Sequence, residues 1–159
     1  MPVTPEPRPE TIIAFDFGLR RIGVAVGQQV TKSATAIGVV ANSTSGPDWR
    51  SIGQIISEWE PARLVVGLPT QPDGTPARLT ARIMRFMDEL HRYGKPVESM
   101  DENFSSWEAG RLLAEQRAIG RRGRVRKQDI DSTAAVLIAE RWLGREGMAN
   151  AKENQSNLV

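Results

Sequence analysis

The residues able to do chemistry are acids at three widely separated positions and one basic run. The acids are Asp16, the pair Asp101-Glu102, and Asp131, with Asp129 as a spare carboxylate two residues before it. Asp16 interrupts an apolar run, IIAFDF, and a buried carboxylate without a partner costs several kcal/mol, so a strand seldom carries one idly. Taken singly, each acid also has a plain explanation. Aspartate at a strand end suits a turn, Asp101-Glu102 could be a turn, and Asp131 could be a helix-terminal charge favoured by the dipole. Together they demand more. Carboxylates about 5 Å apart repel by roughly 3 kcal/mol per pair at an effective dielectric near 20, so three of them converge mainly around a cation. The chain has no cysteine and a single histidine, His91, which leaves oxygen ligands and favours Mg²⁺ or Mn²⁺. Two such ions stabilise the attacking and leaving oxygens of a phosphodiester displacement.

The basic run supplies a matching partner. Arg117, Arg121, Arg122, Arg124, Arg126 and Lys127 stand together without an acid, placing +6 of a net +2 in one segment and leaving −4 for the remainder. This segment lies in sequence between Glu102 and Asp131, where it could hang over the acids and hold a polyanion there. Arg20 and Arg21, just after Asp16, could add to it.

These residues must be positioned by a scaffold, and 159 residues suffice for one domain with a sizeable core. The absence of cysteine excludes disulfides, thiolate zinc sites and a cysteine nucleophile, and fits a reducing compartment. Apolar runs are too short for a membrane span, and the N-terminus lacks the apolar core of a signal peptide, so a cytoplasmic protein is expected. Residues 1–10, with four prolines, read as a disordered leader, residues 11–145 as the folded domain, and residues 146–159 as a polar tail.

Within the domain, Thr11 to Phe17 reads as a buried strand. Gly18 to Arg21 is too short for anything but a hairpin turn into a second strand, Ile22 to Gly27, and Ala34 to Val40 extends the meander. Pro47 suits the first turn of a helix, whose apolar face is Ile52, Ile55, Ile56 and Trp59. Arg63 to Gly67 is a strand, followed by a stiff loop to Gly74. Thr75 and Pro76 open a second helix lined by Leu79, Ile83, Phe86, Met87 and Leu90. Pro96 to Met100 leads into the last strand. Ser105 to Glu108 fits a capping box for a helix with Ala109, Leu112 and Leu113 inward. A final helix from about Asp129 to Gly144 buries Ala134, Leu137, Ile138 and Trp142. The expected fold class is α/β, a mixed five-stranded sheet of order 3-2-1-4-5 with helices on both faces. Its first, fourth and fifth strands are parallel, and their carboxyl ends form a natural site.

The segments FDFGLRRIGVAVG, LVVGLPTQPDG, the Asp101-Glu102 pair and KQDIDSTAAVLIAE, in that order, resemble the YqgF/RuvX family across about Thr11 to Leu143. That resemblance implies the ribonuclease H-like fold and a nuclease that processes the 5′ end of pre-16S ribosomal RNA, in the small ribosomal subunit precursor, during ribosome biogenesis. It also implies Asp16, Glu102 and Asp131 as catalytic metal ligands for Mg²⁺ or Mn²⁺. The family commonly follows its acidic pair with arginine, whereas Asn103 stands here. Arg20, Arg21 or the Arg121, Arg122, Arg124, Arg126 and Lys127 cluster would then supply the nucleic-acid-binding charge.

Other readings are a Holliday junction resolvase-like DNase acting on branched DNA, and a non-catalytic nucleic-acid-binding module. An Asp-x-Gly hairpin also opens the actin and sugar-kinase fold, but that architecture needs two such domains. A monomer or a homodimer fits equally. Gly67-Leu68-Pro69 reads as a strand stop, His91 as a helix-end residue, and Trp49, Trp59, Trp107 and Trp142 as core rather than base-stacking platforms.

Overall fold

A computed structural model describes residues 10–68, 77–101 and 134–145. The expected leader (apart from Glu10), the Thr75-Pro76 cap, the Ser105 capping box with its helix, Trp107, the Arg117–Lys127 segment, Glu102, Asp129, Asp131 and the tail lie outside those residues.

Seven residues of nearly unbroken apolar character, Thr11–Phe17, form β1, and burial on both faces follows from that composition. A four-residue turn returns the chain as β2 (Arg21–Gln28), antiparallel to β1 with Phe17 opposite Ile22 and Asp16 opposite Gly23. β3 (Ser33–Ser43) extends the meander with a register shift between Val24 and Ala25, and runs three residues beyond the expected Val40. β5 (Arg63–Leu68) then lies parallel to β1 on its other edge, and β6 (Val97–Asp101) parallel to β5. The right-handed crossover rule had placed both strands there.

The sheet has six strands rather than five, in the order β4-β3-β2-β1-β5-β6. The addition is the two-residue β4 (Gly46–Pro47), which folds back on Asn42 and Ser43. Pro47 therefore belongs to an edge strand, where its missing N–H is harmless, and not to a helix. The helix α1 (Trp49–Trp59) is capped instead by Asp48. Its carboxylate accepts from the Ser51 hydroxyl at 2.7 Å and the Ser51 amide at 3.3 Å, contacts that hold its pKa below the usual range.

One layer of core joins Ile13, Phe15 and Phe17 to Ile52 and Ile56 of α1 and to Ile83, Phe86 and Leu90 of α2 (Ala77–Leu90). Trp59, expected on this face, is 37% exposed at the helix end, beside Glu60 in a left-handed conformation. His91 opens a 3₁₀ turn (His91–Tyr93) after α2, closed by Gly94 with φ of 70°.

The opposite layer sets Ile12, Ala14, Val65 and Met100 against Ile138, Ala139, Trp142 and Leu143 of a helical segment at residues 134–145, here α3. Trp142 donates its indole N–H to Glu98 at 2.7 Å, and Glu98 and Glu10 both hold Arg63, at 2.9 and 2.8 Å. The Glu10 hydrogen bond raises the Arg63 pKa. This polar knot fixes the late part of α3 over the amino ends of β5 and β6.

Candidate active site

Asp16 sits one residue before the end of β1 and is half-buried. Its neighbours in the strand alternate between layers. Phe15 and Phe17 enter the α1–α2 layer, whereas Ile12 and Ala14 enter the α3 layer. Period-two alternation therefore aims Asp16 at the α3 side. Its partner across the hairpin is Gly23, and the parallel register that pairs Phe15 with Val66 brings Gly67 alongside on β5. The carboxylate thus has a glycine on each flank, and neither neighbouring strand places a side chain directly beside it. Gly67 is part of β5, as the sequence indicated, paired with Met100, and the strand ends one residue later at Leu68, within the Gly67-Leu68-Pro69 stop. Gly23 was not singled out from sequence and Gly67 only as part of a strand stop, because their relation to Asp16 exists only once the registers are known.

The turn after Asp16 is held from below. The Gly18 amide donates to the Arg21 carbonyl at 2.9 Å, and a Cβ on Gly18 would lie 2.5 Å from that carbonyl oxygen. Close approach, not a left-handed φ, requires glycine here. Asn42, the only buried polar residue among the described ones, donates its side-chain amide to the Gly18 carbonyl at 2.7 Å. Its Oδ1 accepts the Ser43 amide at 3.0 Å, and its own backbone amide donates to the Arg20 carbonyl at 2.9 Å. Sequence reading missed Asn42; an asparagine in a β-branched strand, where its propensity is poor, was the available signal. Asn42→Ala leaves the Gly18 carbonyl short of its partner and is expected to cost about 1–3 kcal/mol. A urea titration should show a lower midpoint; an unchanged midpoint would mean that the turn does not depend on the clamp.

Arg20 is exposed and Arg21 half-buried, both on this turn at the Asp16 end of the sheet. Asp101 closes β6 opposite Leu68. It falls in step with Val97, which packs on the α1–α2 layer, while Met100 packs on the α3 layer. Asp101 therefore belongs to the face opposite Asp16, and the two are not brought together. Among the described residues there is no group of three or more acidic, histidine or cysteine side chains able to hold a metal.

The path of α3 completes the geometry. Leu143 lies over Gly27 and Ile12, since a Cβ on Gly27 would meet the Leu143 side chain at 3.4 Å and that of Ile12 at 2.9 Å. Residues 134 to 142 rise about 12 Å at 1.5 Å per residue, close to the ~13 Å from Ile12 to Asp16 along a strand. The described part of α3 is thus about as long as β1 from Ile12 to Asp16, and it packs on the same sheet face as Asp16. No helix among the described residues is long and apolar enough to cross a membrane.

Residues 10–145 match the RuvX family, described as Holliday junction resolvase. A protein of Azotobacter vinelandii named "Putative pre-16S rRNA nuclease" is 42% identical over 137 residues, covering 85% of this chain and 94% of its own length. One of Burkholderia lata with the same name is 43% identical, covering 86% and 90%. Among solved structures, RuvC of Thermus thermophilus aligns with a TM-score of 0.51 at 13% identity, over 86% of this chain and 96% of RuvC. The fowlpox virus resolvase in complex with Holliday junction DNA aligns at 0.50, also at 13% identity, over 85% and 97%. These likenesses show the shared ribonuclease H-like fold.

Proposed function

From the chain's membership of the RuvX family, and hence its being a nuclease of ribonuclease H-like fold, we propose a divalent-metal-dependent hydrolase that processes the 5′ end of pre-16S ribosomal RNA. The observation that carries the reading is Asp16, flanked by two glycines, at the carboxyl end of three parallel strands, on the face that α3 covers. The substrate follows from the names of relatives more than 40% identical over nearly their whole length.

Asp16, Glu102 and Asp131 are the proposed ligands of Mg²⁺ or Mn²⁺. Glu102 follows Asp101, the last residue of β6, by one. Asp131 lies three residues before the described start of α3. The donor set fits: carboxylate oxygens suit a hard cation, and the flanking glycines leave room beside Asp16. When bound, the ion would supply charge stabilisation to the attacking and leaving oxygens of the phosphodiester. The chain's own residues do the rest. Asp16 holds its position because the Gly18–Arg21 turn and the Asn42 clamp fix the strand end, and Arg20 and Arg21 attract the phosphate backbone at the rim. The Arg117–Lys127 segment, with Arg121, Arg122, Arg124, Arg126 and Lys127, is proposed to hold the RNA over the acids.

The test is cleavage of pre-16S ribosomal RNA by the purified protein in Mg²⁺ or Mn²⁺, with EDTA as control and a four-way DNA junction offered in parallel. Metal-dependent trimming of the RNA is expected. Cutting of the junction alone would transfer the assignment to a DNase, the activity in the family description. Cleavage undiminished by EDTA would overturn the metal requirement.

A further inference from the structure

On the sheet face away from Asp16, the surface of α2 carries a pattern that the catalytic reading does not use. Arg78, Arg82, Arg85 and Arg92 recur at spacings of four, three and seven, so they form one stripe along α2 and the 3₁₀ turn after it. Glu89 lies on that stripe, 3.1 Å from Arg85, and the exposed Asp88 borders it. Beside the stripe opens a cleft of about 170 Å³, lined among others by Thr44, Ser45, Trp49, Arg82, Arg85 and Glu89, with Phe17 at its inner end. Phe17 is the residue next to Asp16, so the cleft starts at the same strand end as the candidate active site.

Two of the arginines, Arg82 and Arg92, are held in place rather than loose. Arg82 donates to the Ser43 carbonyl at 3.0 Å and lies over the Phe17 ring at 5.7 Å. Arg92 donates to the Glu89 carbonyl at 3.0 Å and lies 3.9 Å over Trp49. Neither contact neutralises the charge. Fixing a guanidinium in advance lowers the entropy lost when it meets a phosphate, and Arg suits that partner by its planar fork. Trp49 is already engaged by Arg92 and by Phe86, stacked at 5.6 Å, which leaves little ring face for a base. The exposed hydroxyls of Thr44 and Ser45 at the mouth are phosphate donors too.

We propose that this stripe and cleft bind the phosphate backbone of the RNA flanking the cleavage position, as the strand passes from the Asp16 end of the sheet onto the α2 face. Arginines without a stacking platform read charge and not bases, so the contact is independent of sequence. From Arg82 to Arg92 the stripe extends about 15 Å, room for more than one phosphate of a single strand. The proposal rests on the nuclease reading only for the identity of the nucleic acid.

The test uses Arg78→Gln/Arg85→Gln, which alters two exposed side chains. Binding of a fluorescent RNA hairpin with a single-stranded 5′ extension is followed by anisotropy over a KCl series, in the Asp16→Asn background so that cleavage is not the readout. Two lost contacts should reduce the slope of log affinity against log salt by about 1.4, and Arg78→Lys/Arg85→Lys should restore it. In the protein with Asp16 intact, cleavage of an oligonucleotide too short to reach α2 should be unchanged. An unaltered salt slope for the glutamine pair would overturn the proposal, as would an equal loss on the short oligonucleotide. If the wild type cuts no RNA while the slope still falls, the nuclease reading fails and the stripe stands.

Discussion

Asp16→Asn is expected to lower RNA cleavage by about a thousandfold or more while leaving the fold intact. Asparagine keeps the shape of the side chain and removes the negative charge. At a site where three carboxylates are proposed to share a divalent cation, losing one ligand forfeits several kcal/mol of charge stabilisation in the transition state, and each 1.4 kcal/mol is about tenfold in rate. Stability should move little, because Asp16 is only half-buried and asparagine keeps the size and shape of the side chain. Cleavage kinetics and a thermal melt on the same preparation decide it. A variant that melts like the wild type and cuts like it removes Asp16 from the site.

Phe86→Ala carries the largest expected cost in stability. Phe86 is 2% exposed, and its ring meets Phe15 at 5.5 Å, Phe17 at 5.2 Å and Trp49 at 5.6 Å. Truncation removes the transfer energy of the ring and leaves a cavity between sheet and helices, about 3–5 kcal/mol in all, besides the edge-to-face and stacked ring contacts. That is a large fraction of the 5–15 kcal/mol or so by which domains are usually stable. Phe15 and Phe17 flank Asp16, so partial collapse of the cavity should also displace the strand end. Denaturant unfolding should show the loss, and residual cleavage should fall further than the folded fraction alone accounts for. A destabilisation under 1 kcal/mol would mean that the neighbouring rings refill the space.

Much of the fold was legible from sequence because its signals are local. The run Thr11–Phe17, the four-residue turn and the run to Gly27 could only be a hairpin, and chirality then fixed where β5 and β6 must lie. The spacing of Ile83, Phe86 and Leu90 gave the buried side of α2 without any structure. Pro47 was misread because proline suits a helix start and an edge strand equally, and only the pairing with Asn42 distinguishes them. Trp59 was misread because periodicity continues to a helix end whether or not the core does.

The candidate site divides in the same way. By itself the sequence determined the order of the main strands and the family to which the chain belongs, and it nominated the acids proposed to hold a divalent cation, since each of these depends on residue identity and spacing along the chain. Tertiary structure alone decided that Asp16 faces α3 between two glycines, that Asp101 faces the other way, that Asn42 clamps the turn, and that arginines on α2 line a cleft starting beside Phe17. Those are matters of register and of contacts between residues distant in sequence. A one-residue slip in pairing would reverse every face without changing a single local propensity.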